Sequence, residues 1–240
     1  MSARGPSEYR AVIFDKDGTL FDFGATWEAW ASGLLWQLAE QEAERAAFLG
    51  KLIGYDYLNQ RFSPDSVAIA GTPFEIVQAL SPEFPNMSDR ELLQVLNAEA
   101  VSAPMREAVP LAALLHRLKS VGLKLGVATN DAEEPALAHL DAVGVRAFFD
   151  FIAGSDSGFG AKPEPGQLYA FCDQVGIATE HTVMVGDSTH DLVAGRAAGM
   201  ATVAVLTGMA DAEQLIPYAD VVIPDIGHLP DWMGLTPLEG

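Results

Sequence analysis

One ten-residue stretch near the start of the chain restricts the possible folds more than any other. It runs from Ala11 to Leu20 and reads Ala-Val-Ile-Phe-Asp-Lys-Asp-Gly-Thr-Leu. Its four apolar residues are rich in β formers and predict a short strand buried inside a sheet. Asp15 and Asp17 follow at the carboxyl end of this strand. Because open α/β sheets bind ligands at such strand ends, two carboxylates there indicate a site rather than part of a core.

The residues just after the strand are expected to point in different directions. Side chains two apart on an extended chain share a face, so Asp15 and Asp17 point one way and Lys16 points the other. We therefore expect Lys16 to have little effect on chemistry at the strand end. Gly18 permits the sharp turn that follows.

The rest of the chain shows two kinds of hydrophobic pattern. Residues 23–102 have helical periodicity, with Trp27 and Trp30 on one apolar face, and contain no convincing strand. Aromatic residues at this spacing are more often core than ligand contacts, and residues 50–73 look irregular. After this segment, strand-like runs alternate with helical ones, which predicts a parallel sheet covered on both faces. The further strand candidates are residues 123–129, 151–153, 182–187, 201–206 and 221–223.

Polar side chains lie at or just after the ends of several predicted strands. They are Thr129, Asn130, Lys162, Asp187 and Asp191. Each has an ordinary explanation by itself, such as a helix cap or a solvated loop lysine. Because the carboxyl ends of parallel strands meet at one edge of a sheet, we expect these residues to converge on the two aspartates of the first strand.

In type and order these residues resemble the motifs of the haloacid dehalogenase-like (HAD) phosphohydrolases. The motifs are Asp15-x-Asp17-Gly18-Thr19, a strand ending in Thr129, Lys162 before a proline, and Gly186-Asp187-Ser188-x-x-Asp191. The resemblance covers residues 11–206 apart from the helical segment. The segments Pro163-x-Pro165 and Gly199-Met200-Ala201 are similar to those of the phosphoglycolate phosphatase-like branch of the family.

The resemblance implies an α/β fold in which a Rossmann-like parallel sheet core carries an inserted all-helical cap domain. The HAD-like core domain would comprise residues 1–22 and 103–240. The helical cap domain would comprise residues 23–102, which lie between the first and second motifs.

The net charge of the chain argues against some classes of partner, and its predicted carboxylate cluster indicates a metal cofactor. A net charge of −19 argues against nucleic acids and anionic membranes as partners. A phosphate dianion would be repelled by the predicted carboxylate cluster unless a hard divalent cation lay between them, and Mg²⁺ suits such oxygen ligands. By resemblance, Mg²⁺ is bound by the Asp15 carboxylate, the backbone carbonyl of Asp17 and the Asp187 carboxylate, with Asp191 in support.

The resemblance also implies an activity, which is Mg²⁺-dependent hydrolysis of a small phosphomonoester, such as 2-phosphoglycolate, through an aspartyl phosphate. Asp15 would be the nucleophile and Asp17 the general acid and base. Lys162 would supply positive charge, and Thr129 and Asn130 would contact the phosphate. Two alternatives stay open, a phosphosugar mutase on the same scaffold and a non-catalytic binding protein.

Selectivity among phosphate esters would have to come from residues 23–102. Arg61, in the irregular stretch, is our candidate contact to an anionic substrate, because its planar guanidinium suits a carboxylate. A solvated surface arginine is the competing interpretation. His190, inside the fourth motif, is expected at the surface.

Other features bear on the cellular setting. The single cysteine, Cys172, falls in an apolar helical run and is expected in the core. The first six residues lack the apolar run of a secretory signal, and no run has the length of a membrane span. We therefore expect a cytoplasmic protein whose partner is a small phosphorylated metabolite. The sequence does not indicate an oligomeric state.

Overall fold

The computed structural model of the chain describes residues 8–235. The strands found there are β1 (Ala11–Phe14), β2 (Tyr55–Asp56), β3 (Arg61–Phe62), β4 (Lys124–Ala128), β5 (Phe151–Ala153), β6 (Thr182–Gly186), β7 (Ala201–Val205) and β8 (Val221–Ile223). The helices are α1 (Phe23–Leu38), α2 (Ala43–Leu52), α3 (Val67–Ala70), α4 (Pro73–Leu80), α5 (Asp89–Val101), α6 (Leu111–Ser120), α7 (Glu133–Ala142), α8 (Gly166–Val175), α9 (Thr189–Ala198), α10 (Ala212–Leu215) and α11 (Leu229–Trp232).

Six strands form one parallel sheet in the order β5-β4-β1-β6-β7-β8. At the end of β1, Phe14 pairs with Val127 on β4 and with Val185 on β6. The carboxyl ends of the three central strands therefore lie side by side, and the loops that follow them meet at one edge of the sheet. This arrangement confirms the predicted Rossmann-like α/β fold.

The central strand is buried on both faces, as its unbroken apolar sequence predicts. Val12 and Phe14 belong to an apolar cluster that includes the leucines of α6. Ala11 and Ile13 belong to a second cluster, which includes residues of α8 and α9. Helices thus cover the sheet on both sides. Cys172 of α8 is buried in the second cluster, where it was expected.

Residues 23–102, called the helical insertion below, pack mainly around an apolar cluster of their own that includes Trp30, Leu34 and Leu49. Side-chain caps begin several of its helices. Asp22 accepts a hydrogen bond of 2.8 Å from the backbone N–H of Ala25 at the start of α1. The predicted capping box between Ser88 and Glu91 is present at the start of α5.

The prediction that residues 50–73 are irregular and contain no strand was wrong in part. Helix α2 continues to Leu52, and β2 and β3 form a short antiparallel hairpin. The Asp56 carboxylate accepts hydrogen bonds of 3.1 Å from the backbone N–H groups of Leu58 and Asn59, which stabilises the hairpin turn. Strands of two residues are too short to show any hydrophobic alternation, so periodicity could not reveal them.

The structure bears on the prediction about membrane spans but not on the prediction about a secretory signal. Among residues 8–235, no helix is both long and apolar enough to cross a membrane. The absence of a secretory signal was predicted from the first six residues, which lie outside the described part of the chain. Both ends of the predicted core domain, residues 1–7 and 236–240, also lie outside it.

Candidate active site

The loop after β1 is a tight turn. The backbone carbonyl of Lys16 accepts hydrogen bonds from the N–H groups of Leu20 and Phe21, at 2.9 and 3.0 Å. Gly18 has a φ of +78°, and a Cβ atom there would lie 2.3 Å from Oδ2 of Asp187. Only glycine combines this backbone conformation with so close an approach, so Gly18 lets the β1 loop pack directly against the Asp187 carboxylate.

Most residues predicted for the site do come together. A cleft lies between the carboxyl edge of the sheet and the helical insertion, and its empty volume, open mouth included, is about 640 Å³. The predicted residues that line the cleft are Asp15, Asp17, Thr129, Asn130, Lys162, Asp187 and Asp191. Since these residues come from four loops, the parallel register of the sheet is what brings them together.

Lys162 is the buried cation of the cleft, with a relative exposure of 5%. Its Nζ lies 2.6 Å from Oδ1 of Asp15 and 2.6 Å from Oδ1 of Asp191. Burial by itself would lower the pKa of Lys162, but the two carboxylates reverse this and raise the pKa above its usual value. The lysine is therefore held charged beside Asp15.

The carboxylates of the cleft outnumber this single ammonium group. Burial raises the pKa of Asp15 to about 7, and the charges of Asp191 and Asp17 add to the rise while Lys162 opposes it. Burial, followed by the charges of Asp15 and Asp191, raises the pKa of Asp187 well above its usual value. The cluster therefore lacks positive charge, which is the electrostatic condition for binding a cation.

The same carboxylates fit a hard divalent cation. Ligand oxygens of Asp15, Asp187 and Asp191 all lie within 4.8 Å of one another. Asp191 already accepts hydrogen bonds on both oxygens, from Lys162 at 2.6 Å and from the Ser188 hydroxyl at 2.6 Å. Asp15 and Asp187 each use one oxygen, toward Lys162 and Thr19. The two carboxylates with a remaining oxygen are thus the ones predicted to bind Mg²⁺, and Asp191 is placed to support them.

The loop after β4 positions the Thr129 hydroxyl and organises its neighbours. Thr129 is buried, and its hydroxyl accepts a hydrogen bond of 3.1 Å from the backbone N–H of Asp131. The Asn130 amide group donates to the carbonyls of Lys162 and Ala70 at 2.8 Å and accepts from the Lys162 N–H. The Asn130 side chain thus holds the Lys162 loop and the helical insertion, while the residue also lines the cleft, and its contact with phosphate stays a prediction.

The contacts of Lys16 weigh against the expectation that this residue has little effect on chemistry. Its side chain does turn away from Asp15, but it is fully buried and its Nζ lies 2.9 Å from the Asp17 carboxylate. The same Nζ is 3.0 Å from Asp131 and 2.8 Å from Nδ1 of His139. Burial by itself would lower the pKa of Lys16, but Asp17 and Asp131 reverse this and raise it. The alternation of strand side chains was expected to continue through residues 15–17, but β1 ends at Phe14, so the rule does not hold for them.

His139 connects Lys16 to the helical insertion. An ammonium group can only donate, so Nδ1 of His139 accepts from Lys16 and the proton sits on Nε2. Nε2 in turn donates to the backbone carbonyl of Ala100, at 2.7 Å, in α5. Burial and the charge of Lys16 lower the pKa of His139 to about 4, so the ring is neutral at neutral pH.

Some residues that hold the site together were not singled out from the sequence. The Gln167 amide donates to the carbonyls of Thr129, Gly154 and Gly160, at 3.0 to 3.1 Å, and so joins the loop after β4 to two points of the loop after β5. For Lys16 a signal existed, since a lysine at the end of a buried strand must find acidic partners. His139 lies 123 residues from Lys16 in sequence, and nothing local marks it as a partner.

Predictions about Arg61, His190 and the two tryptophans of α1 agree with the structure to different degrees. Arg61 is exposed on β3 and does not line the cleft, so the structure does not bring it to the site. His190 was expected at the surface, but it is half-buried and lines the cleft. Trp27 and Trp30 are buried in the apolar cluster of the insertion, as expected, and they also line the cleft.

Comparison with known proteins agrees with this geometry. Residues 9–199 match the family model described as a haloacid dehalogenase-like hydrolase. A phosphoglycolate phosphatase from Xanthomonas campestris pv. campestris is 30% identical over 218 residues, which are 89% of this chain and 91% of that protein. A phosphoglycolate phosphatase from Rhodospirillum rubrum is 35% identical over 122 residues, about half (51%) of each chain.

A solved structure resembles the whole arrangement. It is a predicted phosphoglycolate phosphatase from Haemophilus somnus, with a TM-score of 0.68 and 21% sequence identity. The match covers 95% of this chain and 99% of that one. At this identity the likeness supports the fold, while the chemistry depends on the residues in the cleft.

Proposed function

Because this chain belongs to the haloacid dehalogenase-like hydrolases, we propose that it is a Mg²⁺-dependent phosphatase that hydrolyses a small phosphomonoester through an aspartyl phosphate on Asp15. The observation that carries the proposal is the buried contact between Lys162 and Asp15 beside Asp187 and Asp191. This cluster joins a nucleophile, a cation for the transferred group and oxygen ligands for a metal. The phosphatase names of the relatives point to the same reaction class.

In the first step, an oxygen of Asp15 attacks phosphorus, and the bond between phosphorus and the ester oxygen breaks. Asp17, which lines the same cleft, donates a proton to the departing oxygen. In the second step, Asp17 takes a proton from the water that attacks the aspartyl phosphate, which releases inorganic phosphate and restores Asp15. Proton transfer of this kind contributes about 10² to 10⁴ in rate.

Lys162 and the loop after β4 hold the phosphate. Lys162 offsets the charge of Asp15 and of the phosphoryl oxygens. The Thr129 hydroxyl and backbone N–H groups of the loop contact the remaining oxygens. The carboxylates of Asp15 and Asp187 and the carbonyl of Asp17 would hold Mg²⁺, which would supply the positive charge that a dianion needs beside the carboxylate cluster.

The helical insertion acts as a cap over the cleft. Two contacts hold it against the sheet edge, Asn130 to the carbonyl of Ala70 at 2.8 Å and His139 to the carbonyl of Ala100 at 2.7 Å. Closure excludes water during the first step and leaves room for a small substrate. A small phosphorylated metabolite is therefore the partner we propose, with the cytoplasm as the proposed location, and the relatives' names make 2-phosphoglycolate the first compound to assay.

The test uses Asp15→Asn with Asp173→Asn, an exposed aspartate, as the matched control. We expect Asp15→Asn to lose turnover and Asp173→Asn to keep it. Acid-quenched wild-type protein should show a phosphoryl adduct on Asp15 by mass spectrometry, and excess EDTA should remove activity until Mg²⁺ is restored. Near-normal turnover by Asp15→Asn would sink the mechanism. Phosphoryl transfer within a sugar phosphate without phosphate release would indicate the mutase instead.

A further inference from the structure

The two walls of the cleft differ sharply in chemistry. The core wall, from the loops of the sheet, carries Asp15, Asp17, Lys162, Asp187 and Asp191. The insertion wall, from the helical insertion, is formed chiefly by Phe23, Trp27, Trp30, Ile69, Ile76 and Leu96. Phosphate and metal belong to the core wall, so the group that the enzyme releases with the ester oxygen must face the insertion wall.

The aromatic part of the insertion wall is held in place. The rings of Trp27 and Trp30 meet edge to face, with centroids 5.1 Å apart and an angle of 79° between the planes. The indole N–H of Trp30 donates to the carbonyl of Leu96 at 3.2 Å. Because the two rings are 8% and 2% exposed, they present fixed apolar edges rather than mobile side chains.

The cleft has no cation to spare for a charged leaving group. Within residues 8–235, Lys162 is the one lysine or arginine that lines it, and this lysine is already shared by Asp15 and Asp191. Arg61 lies outside the lining. A carboxylate on the leaving group would therefore be buried near Asp17 and Asp131 with no lysine or arginine of its own, which is unfavourable by desolvation and by repulsion. The unpartnered buried nitrogens of the described lining, Nδ1 of His190 and Nε1 of Trp27, do not provide a permanent positive charge.

Two uncharged polar groups without a hydrogen-bond partner within residues 8–235 interrupt the apolar wall, the Asn97 amide and the indole N–H of Trp27. Asn97, on α5, lines the cleft and is half-buried, and its amide makes no hydrogen bond to the described residues. An amide can donate and accept, so it can bind a hydroxyl, ether or carbonyl on an otherwise apolar group. The Trp27 indole N–H can only donate, so among the described residues of this wall Asn97 is the side chain that can both donate to and accept from a neutral polar substituent.

We propose, resting on the phosphatase function above, that the substrate is a phosphomonoester whose leaving group is uncharged and largely apolar, such as an aromatic or branched alcohol, with its neutral polar substituent bound by Asn97. The cleft would then discriminate against 2-phosphoglycolate, whose leaving group carries a carboxylate. The chain would share its reaction with the relatives named above and differ from them in substrate.

The test compares substrates that differ in a single charge. Benzyl phosphate and 4-carboxybenzyl phosphate are assayed with the full-length wild-type protein, alongside 2-phosphoglycolate and its methyl ester. We expect kcat/KM to be about tenfold or more higher for the uncharged member of each pair, because no lysine or arginine of the described lining is free to pair with the carboxylate. Equal or reversed preference in both pairs would overturn the proposal.

A gain-of-function variant tests the wall directly. Asn97→Lys should raise kcat/KM for 4-carboxybenzyl phosphate relative to benzyl phosphate by about tenfold, since it provides the missing cation. Asn86→Lys adds the same charge at an exposed position outside the cleft and should leave this ratio unchanged. A ratio that moves equally in both variants would mean that net charge, rather than the insertion wall, decides the preference.

Binding separates failure of this proposal from failure of the phosphatase assignment. Benzylphosphonate and 4-carboxybenzylphosphonate, which cannot be hydrolysed, are titrated calorimetrically into the wild-type protein with Mg²⁺. Tighter binding of the uncharged phosphonate without turnover of any ester would support the apolar wall and refute the phosphatase. Efficient, Asp15-dependent hydrolysis with equal binding of both phosphonates would support the phosphatase and refute the apolar wall.

Discussion

Two buried lysines bind the carboxylates of the Asp15-Lys16-Asp17 turn, Lys16 from within the turn and Lys162 from the loop after β5, and each bridges two carboxylates. Lys162 bridges Asp15 and Asp191, while Lys16 bridges Asp17 and Asp131. Both keep a raised pKa in spite of burial, because each lies between two carboxylates. A buried lysine is stable only in such company.

The difference is in what each lysine reaches beyond its carboxylates. Lys162 lines the cleft, where a phosphate would lie. Lys16 does not line it, and its third partner is His139, which binds the helical insertion. The comparison suggests a division of labour in which Lys162 acts on the nucleophile and phosphate, and Lys16 orients the general acid and ties it to the insertion.

The largest expected effect comes from Lys162→Met. It removes the cation beside Asp15 and leaves two buried carboxylates facing the phosphate. We expect kcat to fall by about 10³-fold for every substrate, whatever its leaving group. Steady-state phosphate release measures this, with the exposed Lys51→Met as the matched control. A fall confined to substrates with poor leaving groups would mean that Lys162 assists the general acid, which is the role proposed for Lys16, and would contradict the proposed division between the two lysines.

Lys16→Met should give a smaller and more selective loss. If Lys16 orients Asp17, hydrolysis of benzyl phosphate, whose alkoxide needs a proton, should fall by about 10²-fold. Hydrolysis of p-nitrophenyl phosphate, whose phenolate leaves without one, should change only a few-fold. Circular dichroism checks the fold, and Asp131→Asn, which keeps the contact of Lys16 with Asp17, should show the same pattern more weakly. Equal losses on both substrates would indicate a purely structural lysine.

The contact between Lys16 and His139 can be tested through the pH dependence of the free energy of unfolding. The pKa of His139 is about 4 in the folded protein against an ordinary value of 6.5, so the unfolded chain binds a proton that the folded one does not. Stability from this residue is therefore complete above about pH 6.5 and is lost as the pH falls toward 4, by about 3 kcal/mol. Chemical denaturation of His139→Gln should show a shallower loss over this range.

The control for this measurement is His116→Gln, since His116 is exposed on α6. Its stability should follow the wild-type pH dependence. If His139→Gln also follows the wild type, the neutral, buried state of His139 is not what makes this region sensitive to acid.

The smallest effect is expected from Arg61→Ala. The residue is exposed and outside the cleft, so kcat and KM should stay within about twofold of wild type for anionic and neutral substrates. A selective rise in KM for 4-carboxybenzyl phosphate would show that Arg61 reaches the substrate during turnover. That result would restore the role predicted for it from the sequence.

The sequence by itself determined the order of the six sheet strands and of the helices between them, though not the β2–β3 hairpin. It also placed Asp15, Asp17, Thr129 and Asp187 at or just after strand ends and Lys162 in the loop that follows β5. These features are local, because burial of a strand or a helix face imposes a short hydrophobic period. Their convergence followed from one long-range rule, that parallel strands end at the same edge of the sheet. The spacing of the motifs therefore indicated the core wall of the cleft.

Only the tertiary structure decided how the remaining residues are used. It paired Lys16 with His139, turned the Asn130 side chain toward the Lys162 loop, and placed Arg61 outside the cleft. It also set an apolar wall opposite the carboxylates. These outcomes depend on how separate elements pack across the sheet edge, and hydrophobic periodicity, which repeats within a single strand or helix, carries no record of which distant side chain will fill the neighbouring space.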